Sequence, residues 1–356
     1  MKSWTLYLIL GSVLLLSATV SVCIGTVNLT PGQLVQVLLS GDQTPLGVVV
    51  WQLRMPRMVL AILVGASLAM SGAALQGYTR NPLADAGLLG ISSGAALGAV
   101  CMFYTGFSES ASRFLASFLN SIGCGQFIDW FGGGAGGENF WVPMGGLAGA
   151  FIALLIVILL VGPTTNIPTL ILAGVAVSSL AGALTALVLN LSPNPYAGMQ
   201  IISWLLGSLT DRSWQEVQLC RPFFIAGVVI LMMARRGLLA LSLGEEVTAS
   251  LGFSLKKLRW LIVIGCTLLV GSATAVAGSI AFVGIVVPHL LRPFVKSDPA
   301  RLLMPSALGG ACILLWADIG VRLIPAEQEL KLGVLTALVG TPFFLALLLK
   351  LRRSYT

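Results

Sequence analysis

Residues 52–98 read QLRMPRMVLAILVGASLAMSGAALQGYTRNPLADAGLLGISSGAALG, two apolar stretches around a short polar turn. The first, Met58 to Leu75, carries no charge and is rich in Gly, Ala and Ser. The second starts near Gly87 and places Gly90, Gly94 and Gly98 at four-residue steps. Such steps fall on one helix face, so they predict bare backbone against which another helix packs closely. Between the stretches, Tyr78-Thr-Arg-Asn-Pro-Leu-Ala-Asp85 is polar and broken by proline, which suits a turn at a membrane surface. Arg54 and Arg57 stand at the other end, just before the first stretch.

Composition points the same way. The chain is 57% hydrophobic and only 9% charged, with a mean hydropathy of +0.96. Soluble domains carry roughly 25% charged residues. Apolar runs near 20 residues recur along the chain, the length that crosses a bilayer core of about 30 Å. These features argue against a soluble enzyme. The net charge of +7 comes from Lys and Arg scattered between apolar runs, with no basic stripe for nucleic acid. In a membrane protein that scatter sets orientation.

The predicted architecture is all-α: one polytopic membrane domain over residues 1–356 with ten spans. The spans are Leu6–Gly25, Arg57–Gly77, Leu88–Tyr104, Val142–Val161, Thr169–Leu191, Pro222–Ala234, Leu258–Val276, Gly278–Val295, Leu302–Leu323 and Leu332–Leu349. The eighth is broken by Pro288 and Pro293, so it is expected to be short and kinked. The first apolar run is too long for a signal-peptide core and no A-x-A site follows it, so an uncleaved helix is expected. Ten spans put both termini on one side. With both ends cytoplasmic, Arg54, Arg57, Arg113, Arg212, Arg221, Arg322 and Lys331 lie outside and the other Lys and Arg inside, which fits the positive-inside rule.

Connections vary. Asn28 to Val50 is polar, and Thr30-Pro31 predicts a short capped helix. Residues 104–141 form a long outer insertion. In it, Phe114, Leu115, Phe118 and Leu119 predict a surface helix. Gly132 to Gly137 matches GxGxxG, but no strand precedes it, so it reads as a flexible loop. The six cysteines show no CxxC or metal spacing. Cys101, Cys124 and Cys220 fall near outer loops, where a disulfide is an open alternative to free thiols.

Four pieces together carry a family resemblance: Arg54-Met-Pro-Arg57, Leu75-Gln-Gly77, Arg80-Asn-Pro-Leu-Ala-Asp85 and Gly87-Leu-Leu-Gly-Ile-Ser-Ser-Gly94. The chain resembles the FecCD family, membrane subunits of ATP-driven importers for iron–siderophores, haem and vitamin B12. The resemblance covers nearly the whole chain except Thr105 to Trp141. It implies the fold of the vitamin B12 permease and transport by alternating access at the interface of two permease copies. It also implies two ATPase subunits inside and one periplasmic substrate-binding protein outside. The loop at residues 237–257 matches the family at Leu243, Gly244, Glu245, Glu246, Ser250, Leu251 and Gly252, which implies ATPase docking there. Arg54, Arg57 and Arg322 match positions that seat the binding protein. Snorkelling anchors, and for Arg322 a pair with Asp318 one turn away, are the plainer readings.

The chain has no GxxxxGK[ST], so ATP and Mg would be bound by a partner, and no cofactor or metal is expected on this chain. Ser178, Gly182 and Thr185 share one helix face and suit either a pathway lining or close packing. Asp85 and Asp318 are the ionisable groups nearest the apolar spans, so a proton-coupled secondary transporter is the rival reading. The only histidine, His289, sits in Val286-Val-Pro-His-Leu and reads as structural; an intramembrane hydrolase built on it would lack a nucleophile motif.

Overall fold

The computed structural model describes residues 3–25, 28–41, 44–105, 117, 141–162, 167–191, 195–324 and 329–355. The expectations placed on Phe114, Phe118, Cys124 and Gly132 to Gly137 lie outside these residues. The described residues are helical, in the order α1 (Ser3–Cys23), α2 (Pro31–Ser40), α3 (Pro45–Thr79), α4 (Ile91–Thr105), α5 (Trp141–Val161), α6 (Ile167–Asn190), α7 (Pro195–Leu205), α8 (Trp214–Leu241), α9 (Glu245–Ser250), α10 (Leu255–Ala277), α11 (Val283–Leu291), α12 (Pro299–Leu323) and α13 (Leu332–Tyr355). Seven of them are long and apolar enough to cross a membrane: α1, α3, α5, α6, α8, α10 and α12. Three shorter apolar stretches, Ile91–Phe103, Val283–Val295 and Leu332–Leu347, coincide with the remaining expected spans.

α3 and α10 form the centre, and α12 packs along α3. The small residues explain the closeness. A Cβ on Gly65 would overlap the carbonyl of Gly310 on α12. The four-residue glycine step works as expected: Gly94 and Gly98 of α4 meet Gly149 and Gly145 of α5 backbone to backbone. Gly90 plays another part. It ends the 3₁₀ turn Ala86–Leu89 at φ +73°, before α4 starts, a conformation that favours glycine.

Several expected boundaries move. The second span starts not at Arg57 but at Pro45, and it runs through a π-helical stretch, Val49–Arg54. Pro56 supplies the reason: it has no N–H to offer the carbonyl of Gln52 four residues back and its ring crowds that carbonyl, which the wider i→i−5 turn accommodates. Thr30 caps α2 as expected, and Gln33 completes a capping box. The sixth span is longer than Pro222–Ala234. Ser213 and Glu216 form a capping box that starts α8 a full two turns earlier. Cys220 therefore lies on a helix, fully buried and unbridged, rather than near a loop. The eighth span breaks over Gly278 to Phe282, then resumes as α11 with Phe282 in the left-handed region at φ 68°. Residues 237–257, expected as a loop between spans, are mostly the end of α8, the whole of α9 and the start of α10.

Candidate functional site

The two ends of α3 carry different chemistry. Arg57, near its start, enters a buried charge network. Arg80, at its end, faces a short exposed helix.

At the Arg80 end, α8 and α10 hold α9 between them. Leu238 and Leu241 are buried at the end of α8, and Gly244 turns the chain at φ 109°. Thr248 anchors α9 from below: it is fully buried, and its Oγ1 donates to the Gly244 carbonyl at 2.6 Å. Ser254 then accepts from the Lys257 amide at 3.3 Å and starts α10. With its inner face fixed, α9 presents its outer one. Val247 on α9, Leu243 just before it and Leu251 at its end form an apolar ridge, 43%, 64% and 57% exposed in that order. Glu245, Glu246 and Ser250 flank this ridge and are also exposed, and Gly252 ends it at φ +82°. Glu245 reaches Arg80 of α3 at 3.5 Å, so α9 touches three helices that run through the bundle. The arrangement is a rigid apolar knob with an acidic rim. It can transmit displacement, which a loose loop cannot.

At the other end, Arg57 Nε donates to Asp318 Oδ1 at 2.9 Å and Arg57 Nη2 donates to Glu329 Oε1 at 2.8 Å. Arg322 closes on Asp318 from the next turn, Nη2 to Oδ2 at 2.9 Å. The same guanidinium donates to the carbonyls of Ser21 and Ile24 at 2.8 and 2.9 Å. Arg54 donates to the Val22 carbonyl at 2.7 Å. Thr210 donates to Glu329 through a short hydrogen bond. The network thus ties α1, α3, α12, the segment before α13 and the loop before α8 together. Asp318 is only 1% exposed. Burial works against the Glu329 carboxylate, but Arg57 and Thr210 outweigh it and hold its pKa below the usual 4.5.

The three arginines expected as outward sockets or snorkelling anchors are therefore engaged inside the chain. Arg54 is 7% exposed, and the Arg57 and Arg322 side chains are 14% and 9% exposed. The pair between Arg322 and Asp318 is present as its spacing suggested. Glu329 and Thr210 are not among the residues the sequence singles out. The available signal is charge balance: two arginines beside one aspartate call for a further acid, and Glu329 lies in the polar connection just before α13.

The remaining candidates separate. Ser178 Oγ donates to the Gly87 carbonyl at 3.3 Å, and Thr185 Oγ1 donates to the Ala181 carbonyl at 2.8 Å. Among the described residues, nothing lies within 4 Å of the position a Cβ on Gly182 would take. Asp85 lies half-buried against Gly284 of α11. Burial raises its carboxyl, and the amides of Ala86 and Gly87 partly offset this. Gln76 bridges α3 to α11, donating to the Gly284 carbonyl at 3.2 Å and accepting from Arg292 at 2.7 Å. His289 meets Phe343 edge-on, ring centroids 6.0 Å apart. Among the described residues, no group of His, Cys, Asp and Glu is placed to hold a metal ion.

Comparison with known proteins adds an independent line. The profile of the FecCD transport family matches residues 13–350. The uncharacterised ABC transporter permease protein YvrB of Bacillus subtilis is 38% identical over 309 residues, covering 86% of this chain and 80% of the relative. The hemin transport system permease protein HmuU of Yersinia pestis is 36% identical over 306 residues, covering 86% and 84%. A solved structure described as an inward-facing conformation of a metal-chelate type ABC transporter superposes with a TM-score of 0.78 at 30% identity, covering 96% of this chain and 97% of the other.

Proposed function

The chain belongs to the FecCD transport family, and we propose that it is the permease subunit of an ATP-driven importer for an iron chelate, siderophore or haem, or for cobalamin. The cargo crosses the bacterial inner membrane by alternating access between two copies of this chain. Two ATPase subunits bind inside, where both termini lie, and a periplasmic binding protein delivers cargo outside. ATP and Mg sit on the ATPase, since this sequence has no phosphate-cradling loop of its own.

The observation that carries the reading is the exposed apolar set Leu243, Val247 and Leu251 on and beside a helix clamped between α8, α10 and Arg80. Exposed apolar side chains on and beside a short helix, with an acidic rim, suit a groove on a soluble partner. A secondary transporter has no use for such a knob. Of the two acids it could use, Asp85 and Asp318, the second is already engaged by two guanidinium groups. Ser178, Gly182 and Thr185 face the pathway from α6. The outer arginines act through their network: Arg54, Arg57 and Arg322 hold the outer ends of α1, α3 and α12 in register for the binding protein.

Co-purification tests this. The full chain with its ATPase is solubilised, and the ATPase retained on the tagged permease is measured for wild type and Val247→Asp/Leu251→Asp. Loss of the ATPase from a folded variant supports the reading. Retention at the wild-type level contradicts it.

A further inference from the structure

The seam between α8 and α10 ends in a surface groove of about 370 Å³ at the start of α10. Its outer half is basic: Lys256 and Lys257, in the first turn of α10, are both exposed, and neither joins an ion pair among the described residues. Its other half is apolar: Ile230 of α8 with Leu261 and Ile264 of α10. Trp260 lines the groove between the two halves, half-buried. Cation, indole and aliphatic wall thus follow one another along a membrane-spanning helix from its end inward.

That order matches the profile of a phospholipid. Lysines at a helix end attract anionic headgroups, tryptophan settles at the headgroup level, and aliphatic side chains meet the acyl chain. A soluble acidic partner would use the lysines but leave Ile230, Leu261 and Ile264 unexplained. A neutral lipid would use the aliphatic wall but leave two unpaired cations. We infer that this groove binds an anionic phospholipid, with its phosphate on Lys256 and Lys257 and an acyl chain along Ile230 and Ile264. The α10 N-terminus, capped by Ser254, adds its positive end to the same phosphate.

Native mass spectrometry of the full-length permease in detergent tests it, with phosphatidylglycerol and phosphatidylcholine of equal chain length as probes. Phosphatidylglycerol should be retained about tenfold better, and Lys256→Gln/Lys257→Gln should lower its retention about 25-fold, near fivefold for each basic residue. Arg235→Gln/Arg236→Gln removes the same charge from exposed positions on α8 that do not line the groove, and should leave retention within twofold. Inorganic phosphate at millimolar concentration should not displace the lipid, because it lacks the acyl contact. Ile264→Phe, which narrows the apolar half, should weaken retention without changing charge. Equal retention of the two lipids, equal losses in the two charge variants, or displacement by phosphate would each overturn the inference.

Discussion

Arg57 Nη2 lies 2.8 Å from Asp318 Oδ1, joining residues 261 positions apart in sequence across the α3–α12 interface. The carboxylate is 1% exposed and also bears Arg322, so it is shared by two cations, one of which, Arg57, pairs with Glu329 as well. Asp318→Asn should therefore lower stability by about 3–5 kcal/mol, because it leaves the buried Arg322 guanidinium without its carboxylate partner. Asp318→Asn combined with Arg322→Met should recover part of the loss. Thermal denaturation of the solubilised protein measures both, and an Asp318→Asn variant as stable as wild type would refute the network's structural weight.

Glu329 gives the network a pH signature. Its folded-state pKa is depressed below 4.5 by Arg57 and Thr210 despite burial. A depressed carboxylate contributes stability that is fully present above the unfolded value and is lost as pH falls through the folded one. The stability difference between wild type and Glu329→Gln should thus be constant from pH 7 down to about 4.5 and shrink below it. Melting temperatures measured across pH 3–7, a range about the ordinary glutamate value, check this. A difference that vanishes already near pH 6 would contradict it.

Two glycines should respond oppositely. Gly98 meets the backbone of Gly145, so Gly98→Val forces α4 and α5 apart and should cost about 1–3 kcal/mol. Among the described residues, nothing lies against the Cβ position of Gly182 on α6, so Gly182→Ala should be neutral or stabilise by about 0.5–1 kcal/mol. If Gly182 faces the pathway, Gly182→Trp should cut cargo flux while leaving the melting temperature unchanged. Full flux through Gly182→Trp would remove α6 from the pathway.

Legibility differs between the bundle and its junctions. The apolar runs disclose the spans, and the step from Gly94 to Gly98 discloses a helix contact, because length and periodicity are local properties. The knob at α9 is legible too, since Leu243, Glu245, Glu246 and Gly252 are close in sequence. The charge network around Asp318 is not. Its members sit at 57, 210, 318, 322 and 329, and only packing brings them together. Arg54 and Arg57 resemble surface cations in the sequence because their partners are distant along the chain. The early start of α3 is hidden because Pro56 reads as a boundary, whereas a π turn carries the helix across it.

Val247→Asp/Leu251→Asp should leave the permease folded, since both side chains are exposed, with stability within about 0.5 kcal/mol of wild type. Thr248→Val, by contrast, removes the buried hydroxyl under α9 and should loosen the knob, which faster amide exchange over Glu245–Ser250 would report. Unchanged exchange would show that Thr248 does not anchor it.

Cargo uptake in proteoliposomes is the sharpest test of ATP-driven import through this chain. Permease, ATPase and binding protein are reconstituted together, and uptake of haem, a ferric siderophore and cobalamin is followed with ATP or with an imposed proton gradient. One of these cargoes should accumulate only with ATP, and Val247→Asp/Leu251→Asp should abolish that accumulation. Uptake driven by the proton gradient alone, or undiminished in that variant, would contradict it.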